Sequence, residues 1–132
     1  MVKEYGNMEK ITKWIVKNWN KIPDKFKTDI SQGQSNISKD DSLVVLLLDR
    51  QKPSIERCYD YDEERIGVTR EGKIIWGFDS GCSCPMPFEE HDNCYSCSRD
   101  YKTFILEAKG FDEDWFKECE NNFEEIKSKT NV

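Results

Sequence analysis

Leu43-Val44-Val45-Leu46-Leu47-Leu48 is the stretch that most restricts what this chain can fold into. Six consecutive aliphatic residues must be covered, yet the run is far too short to cross a bilayer. It holds two valines, follows an aperiodic polar segment at 31–42 that reads as a loop, and is followed by Pro53. It therefore reads as a central strand buried on both faces, although periodicity alone leaves a buried helix open. Its cover must come from the rest of a chain of 132 residues, 36% hydrophobic and 35% charged. That length suits one ordinary domain, so residues 1–132 are expected to form a single domain with a modest core and strongly solvated helices.

Two amphipathic segments can provide the cover. Met8, Ile11, Ile15, Trp19 and Ile22 recur at helical spacing between Asn7, a capping residue, and Pro23, a stop, which predicts a helix over 8–21 with Trp14 at the edge of its stripe. Lys10, Lys13, Lys17 and Lys21 fall on the opposite face, as a solvated surface or a basic ridge. Near the other end, Asp112, Glu113 and Asp114 favour a helix N-terminus, and Trp115, Phe116, Cys119, Phe123 and Ile126 make an apolar stripe, predicting a helix over 112–129. Cys119 on that stripe reads as a small core residue.

Between them, 65–70 and 73–79 flank Glu71-Gly72 and read as a β-hairpin, while 55–61 could pair weakly with its neighbours. Residues 101–108 are rich in aromatic and β-branched types and are taken as a strand, although Ser98 and Gly110 would also cap a short helix. The expected fold is α+β: a small antiparallel sheet with an N-terminal and a C-terminal amphipathic helix and a Cys-rich loop.

The net charge of −6 is unevenly distributed: residues 1–30 carry seven lysines against four acids, and residues 58–132 carry nine basic residues against eighteen acids. Acidity over that second part opposes binding to a phosphate backbone and suits a basic protein partner. No apolar signal segment is seen at Met1-Val2-Lys3-Glu4-Tyr5-Gly6, so a cytoplasmic protein with no membrane contact is expected, and its cysteines are expected as thiols or metal ligands before disulfides.

The chemistry-bearing residues concentrate at 81–97, where four of the six cysteines and the single histidine lie. Cys82 and Cys84 are two apart ahead of Pro85, on backbone biased to be extended, and Cys94 and Cys97 have the spacing of a metal knuckle formed by a tight turn. With His91 as a substitute ligand, the set matches the four ligands of a structural zinc site; free thiols, a disulfide or an iron–sulfur use remain open. Spacing suggests no partner for Cys58.

Enzyme signatures fit less well. His91 lies too close to Cys94 for a zinc deaminase, in which a proline also precedes the first cysteine of the pair. A metal-dependent hydrolase or nuclease could use Asp79, Glu107 and Lys109, since Phe104-Ile105-Leu106-Glu107-Ala108-Lys109 is similar to a nuclease strand ending in glutamate-x-lysine. The glutamate-x-lysine pattern recurs at Glu71/Lys73 and Glu125/Lys127, as background in so charged a chain. A zinc module reading nucleic acid is disfavoured by residues 80–100, where Arg99 stands against four acids.

Trp76-Gly77-Phe78-Asp79-Ser80-Gly81-Cys82-Ser83-Cys84-Pro85-Met86-Pro87-Phe88-Glu89 resembles a segment of small proteins encoded by bacteriophages. The resemblance spans about fifteen residues plus the preceding hairpin, and Cys94 and Cys97 lie outside it. It implies a phage or prophage origin. The expectation that follows is a small acidic interaction protein in the host cytoplasm, with a host protein as partner and antagonism of a defence system, in the manner of an anti-CRISPR protein, as its effect.

Overall fold

Five antiparallel strands follow one another across a single sheet in chain order: β1 (Lys27–Asp29), β2 (Leu43–Arg50), β3 (Glu63–Thr69), β4 (Ile74–Asp79) and β5 (Cys94–Ser98). Among the described residues three α-helices accompany the sheet: α1 (Val2–Lys17), α2 (Tyr101–Glu107) and α3 (Glu113–Lys129). This computed structural model describes residues 2–29, 43–50, 63–79, 94–98, 101–107 and 113–131. The expected loop at 31–42, the pairing at 55–61, and Cys58, Cys82, Cys84, His91 and Lys109 lie outside the described residues.

The α+β architecture expected from the sequence is present, and its sidedness follows from strand period. The pairs Val45↔Val68, Leu48↔Ile66, Val68↔Ile74 and Ile66↔Trp76 place one set of side chains on one face. These residues share a buried cluster with Met8, Ile11, Ile15 and Trp19 before the sheet and Phe104, Trp115, Cys119, Phe123 and Ile126 after it, so all three helices cover this face. On the other face Val44, Thr69 and Ile75 are also 0% exposed. Burial on both sides is why β2 reads as an unbroken aliphatic run rather than an alternating one.

A bulge interrupts β2. Leu46 pairs with Gly67 and Leu48 with Ile66, which leaves Leu47 as the extra residue. Asn122 Nδ2 of α3 donates to the Leu47 carbonyl at 2.7 Å, tying the helix to the sheet where the ladder is broken. Asn122→Leu is expected to destabilise the protein by about 1–3 kcal/mol, the usual consequence of stranding a buried carbonyl. Urea unfolding checks this, and a shift of the midpoint at unchanged slope would place the loss in the native state.

The hairpin forms as expected. Its turn is closed by Gly72 N–H to Thr69 O at 2.9 Å and Lys73 N–H to Thr69 Oγ1 at 3.0 Å. Gly72 has φ +85°, a conformation that other residues adopt only with strain.

Four expectations need correction. α1 starts at Val2, so Asn7 is inside the helix; its Nδ2 instead donates to Glu120 Oε2 of α3 at 2.9 Å. The helix ends at Lys17, and Trp19–Lys21 continues as a 3-10 turn. Residues 101–107 form a helix and not a strand. Tyr101, Phe104 and Ile105, at spacings of three and four, face the core, with Phe104 stacked on Trp115 at 5.6 Å, while Lys102, Thr103 and Leu106 face solvent. That division needs a period of 3.6, which overrides the β propensity of the side chains. Finally, Cys94–Ser98, expected as loop, pairs with β4 as a strand.

Candidate functional site

The end of the sheet where β2 stops and β3 begins carries a partly buried charge cluster. Strand period puts it there: Arg50 is two residues beyond Leu48 and Glu64 two before Ile66, so both lie on the helix-covered face, and they pair directly across the ladder. Arg50 Nη1 donates to Glu118 Oε2 of α3 at 2.8 Å, and Nη2 lies 3.6 Å from Glu64 Oε1. Glu64 is 3% exposed and accepts a further bond from Trp76 Nε1 at 3.4 Å. Arg50 Nε is buried without a hydrogen-bond partner.

This geometry holds elements together rather than receiving a ligand. A guanidinium already committed to two carboxylates has little left with which to grip a phosphate, and a cation between two carboxylates occupies the place a metal would need. Cys119, next to Glu118 on α3, is fully buried. Burial first, and the neighbouring Glu118 charge second, push its thiol well above the usual range, so it stays protonated and is a poor nucleophile. Its role as a core residue matches the sequence reading.

Sequence reasoning missed this cluster, although the signal was present. Counting back by two from Ile66 and forward by two from Leu48 places a glutamate and an arginine inward on what become neighbouring strands.

Of the residues expected to carry metal or catalytic chemistry, Cys94, Cys97, Asp79 and Glu107 fall within the described residues. Cys94 and Cys97 are in β5, in Cα register with Gly77 and Ile75, and not in a tight turn. Pairing with β4 extends the segment, and a strand cannot double back as a knuckle does. Cys82, Cys84 and His91 lie outside the described residues. Asp79 ends β4, and Glu107 ends α2, so the strand on which the nuclease pattern depends is a helix. Among the described residues, no group of three or more His, Cys, Asp or Glu is placed to hold a metal ion.

The surface is more distinctive. Lys10, Lys13, Lys17 and Lys21 are all exposed, as the sequence predicts. α3 carries six acids against three lysines, with Asp114, Glu124 and Glu125 exposed. Between α1 and α3 lies a cleft of about 170 Å³ lined by residues including Asn7, Lys10, Glu120 and Phe123. It is smaller than the roughly 300 Å³ at which small-molecule sites usually begin. No helix among the described residues is long and apolar enough to cross a membrane.

Residues 41–131 match a family described as a domain of unknown function, DUF7574. The match runs from β2 through α3 and leaves α1 and β1 ahead of it. No curated protein and no solved structure matches the chain.

Proposed function

Because the chain belongs to the DUF7574 family, whose description assigns no activity, we propose its function from its own surface: it is an interaction protein that binds a basic patch on a host protein. The observation that supports this reading is that Asp114, Glu124 and Glu125 are exposed, beside the exposed Lys117 and Lys129, on a helix whose other side is anchored in the core by Trp115, Cys119, Phe123 and Ile126. Carboxylates held on an anchored helix are suited to charge-complementary docking, which speeds encounter and fixes orientation. The resemblance of residues 76–89 to a bacteriophage segment supports a host component as the partner, with a defence protein as the target class.

The test is an affinity capture of the tagged protein from bacterial lysate, run beside a phage-restriction assay. The expected result is one enriched basic protein whose capture falls at least tenfold in the D114K/E124K/E125K variant and at high salt, with restriction relieved only by the unsubstituted protein. Capture unaffected by the charge reversal, together with unchanged restriction, would overturn the reading.

A further inference from the structure

The cleft between α1 and α3 already holds a cation of the chain's own. Its floor is apolar, formed by Ile11 of α1 and Phe123 of α3, both members of the buried core. Lys127 Nζ lies 5.1 Å from the centroid of the Phe123 ring and 3.5 Å from Glu124 Oε1. Glu120 lines the same wall, one helical turn before Glu124, and like charges at that spacing repel. Asn7 Nδ2 of α1 donates to Glu120 Oε2 at 2.9 Å, which fixes that carboxylate across the cleft. Lys127 is the loosely held member of the group. Its side chain is 40% exposed and its contact with Glu124, itself 68% exposed, is long, so it can turn out to solvent at little cost. With Lys127 turned out, the cleft sets two carboxylates against the one ammonium of Lys10.

We propose that this cleft is the anchor subsite for the partner's basic patch, and that it takes one arginine side chain, which replaces Lys127 over the Phe123 ring. The proposal rests on the interaction reading above and names the place where the partner's charge is received. Size limits the guest to a single side chain: the cleft holds about 170 Å³, close to the on the order of 150 Å³ that accommodates one benzene ring. The position of Lys127 shows which chemistry the cleft accepts, a cation against an aromatic face and a carboxylate. Arginine meets that demand better than lysine does. Its guanidinium is planar, so it can lie on the ring, and its fork of N–H donors can reach both glutamates, whereas an ammonium acts as a point charge. Its methylene stem would cover Ile11. The carboxylates stand on one core-anchored helix and Glu120 is held by Asn7, so little ordering is needed when the partner arrives.

The test uses the full chain and three capped probes: N-acetylarginine amide, its lysine counterpart and its neutral citrulline counterpart. Backbone amide signals near Ile11 and from Glu120 to Lys127 are expected to shift on titration with the arginine probe, to shift less with the lysine probe and to stay fixed with the citrulline probe. Glu120→Gln and Glu124→Gln should each weaken arginine binding at least threefold. Lys127→Met removes the competing cation and should strengthen it at least threefold, while Asp114→Asn, on the same helix outside the cleft, should leave it unchanged. The titration of the unsubstituted protein needs no variant to fold. Equal shifts with the arginine and citrulline probes, shifts spread over exposed carboxylates away from the cleft, or weaker arginine binding in K127M would each overturn the proposal. A host protein whose capture is lost in D114K/E124K/E125K, with no arginine-induced shift at the cleft, would remove this anchor and leave the interaction reading standing. Arginine-selective shifts with no captured protein would instead remove the host partner and keep the cleft as an arginine site.

Discussion

Replacing Arg50 with alanine is expected to destabilise the protein by about 3 kcal/mol, the lower end of the range for breaking a buried ion pair. The lower end applies because Arg50 is 27% exposed, so water reaches part of the space it vacates. The damage falls on Glu64, whose side chain is 4% exposed and whose remaining partner is the indole N–H of Trp76 at 3.4 Å. An ionised carboxylate in that position has lost its counter-charge but not its desolvation. Replacing both partners should behave differently. Arg50 Nε is already buried without a partner, so the native pair is incompletely satisfied, and the R50M/E64L variant removes that deficit together with both charges. Its stability is expected within about 1 kcal/mol of the unsubstituted protein. Glu118→Gln should cost less than 1 kcal/mol, because Glu118 is 37% exposed. Urea unfolding checks each of these values, and adding the single variants R50M and E64L completes the double-mutant cycle that gives the coupling energy. An R50A effect below about 1 kcal/mol would mean that Glu64 is solvated once the arginine is gone.

The contrast between R50A and R50M/E64L also shows why the cluster was legible in principle and was still passed over. A residue's face is set by parity with its neighbours, and parity can be counted in one dimension: Arg50 from Leu48, Glu64 from Ile66. That they are neighbours depends on strand register, and here the register includes a bulge at Leu47. Nothing in an aliphatic run marks which leucine will be extra; the bulge is fixed by the partner strand and by the Asn122 side chain arriving from α3. The same reason hid the register of Cys94 and Cys97, which depends on Tyr95 being skipped in the ladder with β4. Features set within one element were readable: the stripes of α1 and α3, the turn at Gly72 and the double-sided burial of β2. α2 was misread because composition was weighted over spacing. Tyr101, Phe104 and Ile105 carry the helical period, and the 63% exposure of Leu106 is where an alternating strand would have needed a buried residue beside Phe104.

Ile15→Ala in α1 is expected to unfold the protein cooperatively at a cost of about 2–5 kcal/mol, including α3 near the far end of the chain. Ile15→Asp should leave no stable native state, because the position is 0% exposed and offers a carboxylate no described partner. Ile15 lies outside the segment that matches the DUF7574 family, which begins at residue 41. If residues 41–131 folded by themselves, damage to α1 would fray α1 alone. The packing argues otherwise. Met8, Ile11, Ile15, Trp19 and Ile22 belong to the same buried cluster as Val45, Ile66, Trp115 and Phe123, Trp14 meets Phe123 edge-on at 5.4 Å, and Asn7 bonds Glu120. A core shared this way has no internal boundary at which unfolding can stop. Backbone amide spectra separate the outcomes: in I15A, signals from α1 and α3 should be lost at the same urea concentration. Val16→Lys, one residue along on the exposed side, should stay within about 0.5 kcal/mol of the unsubstituted protein. Loss of α1 signals with α3 intact would instead mean that the folding unit begins where the family match begins.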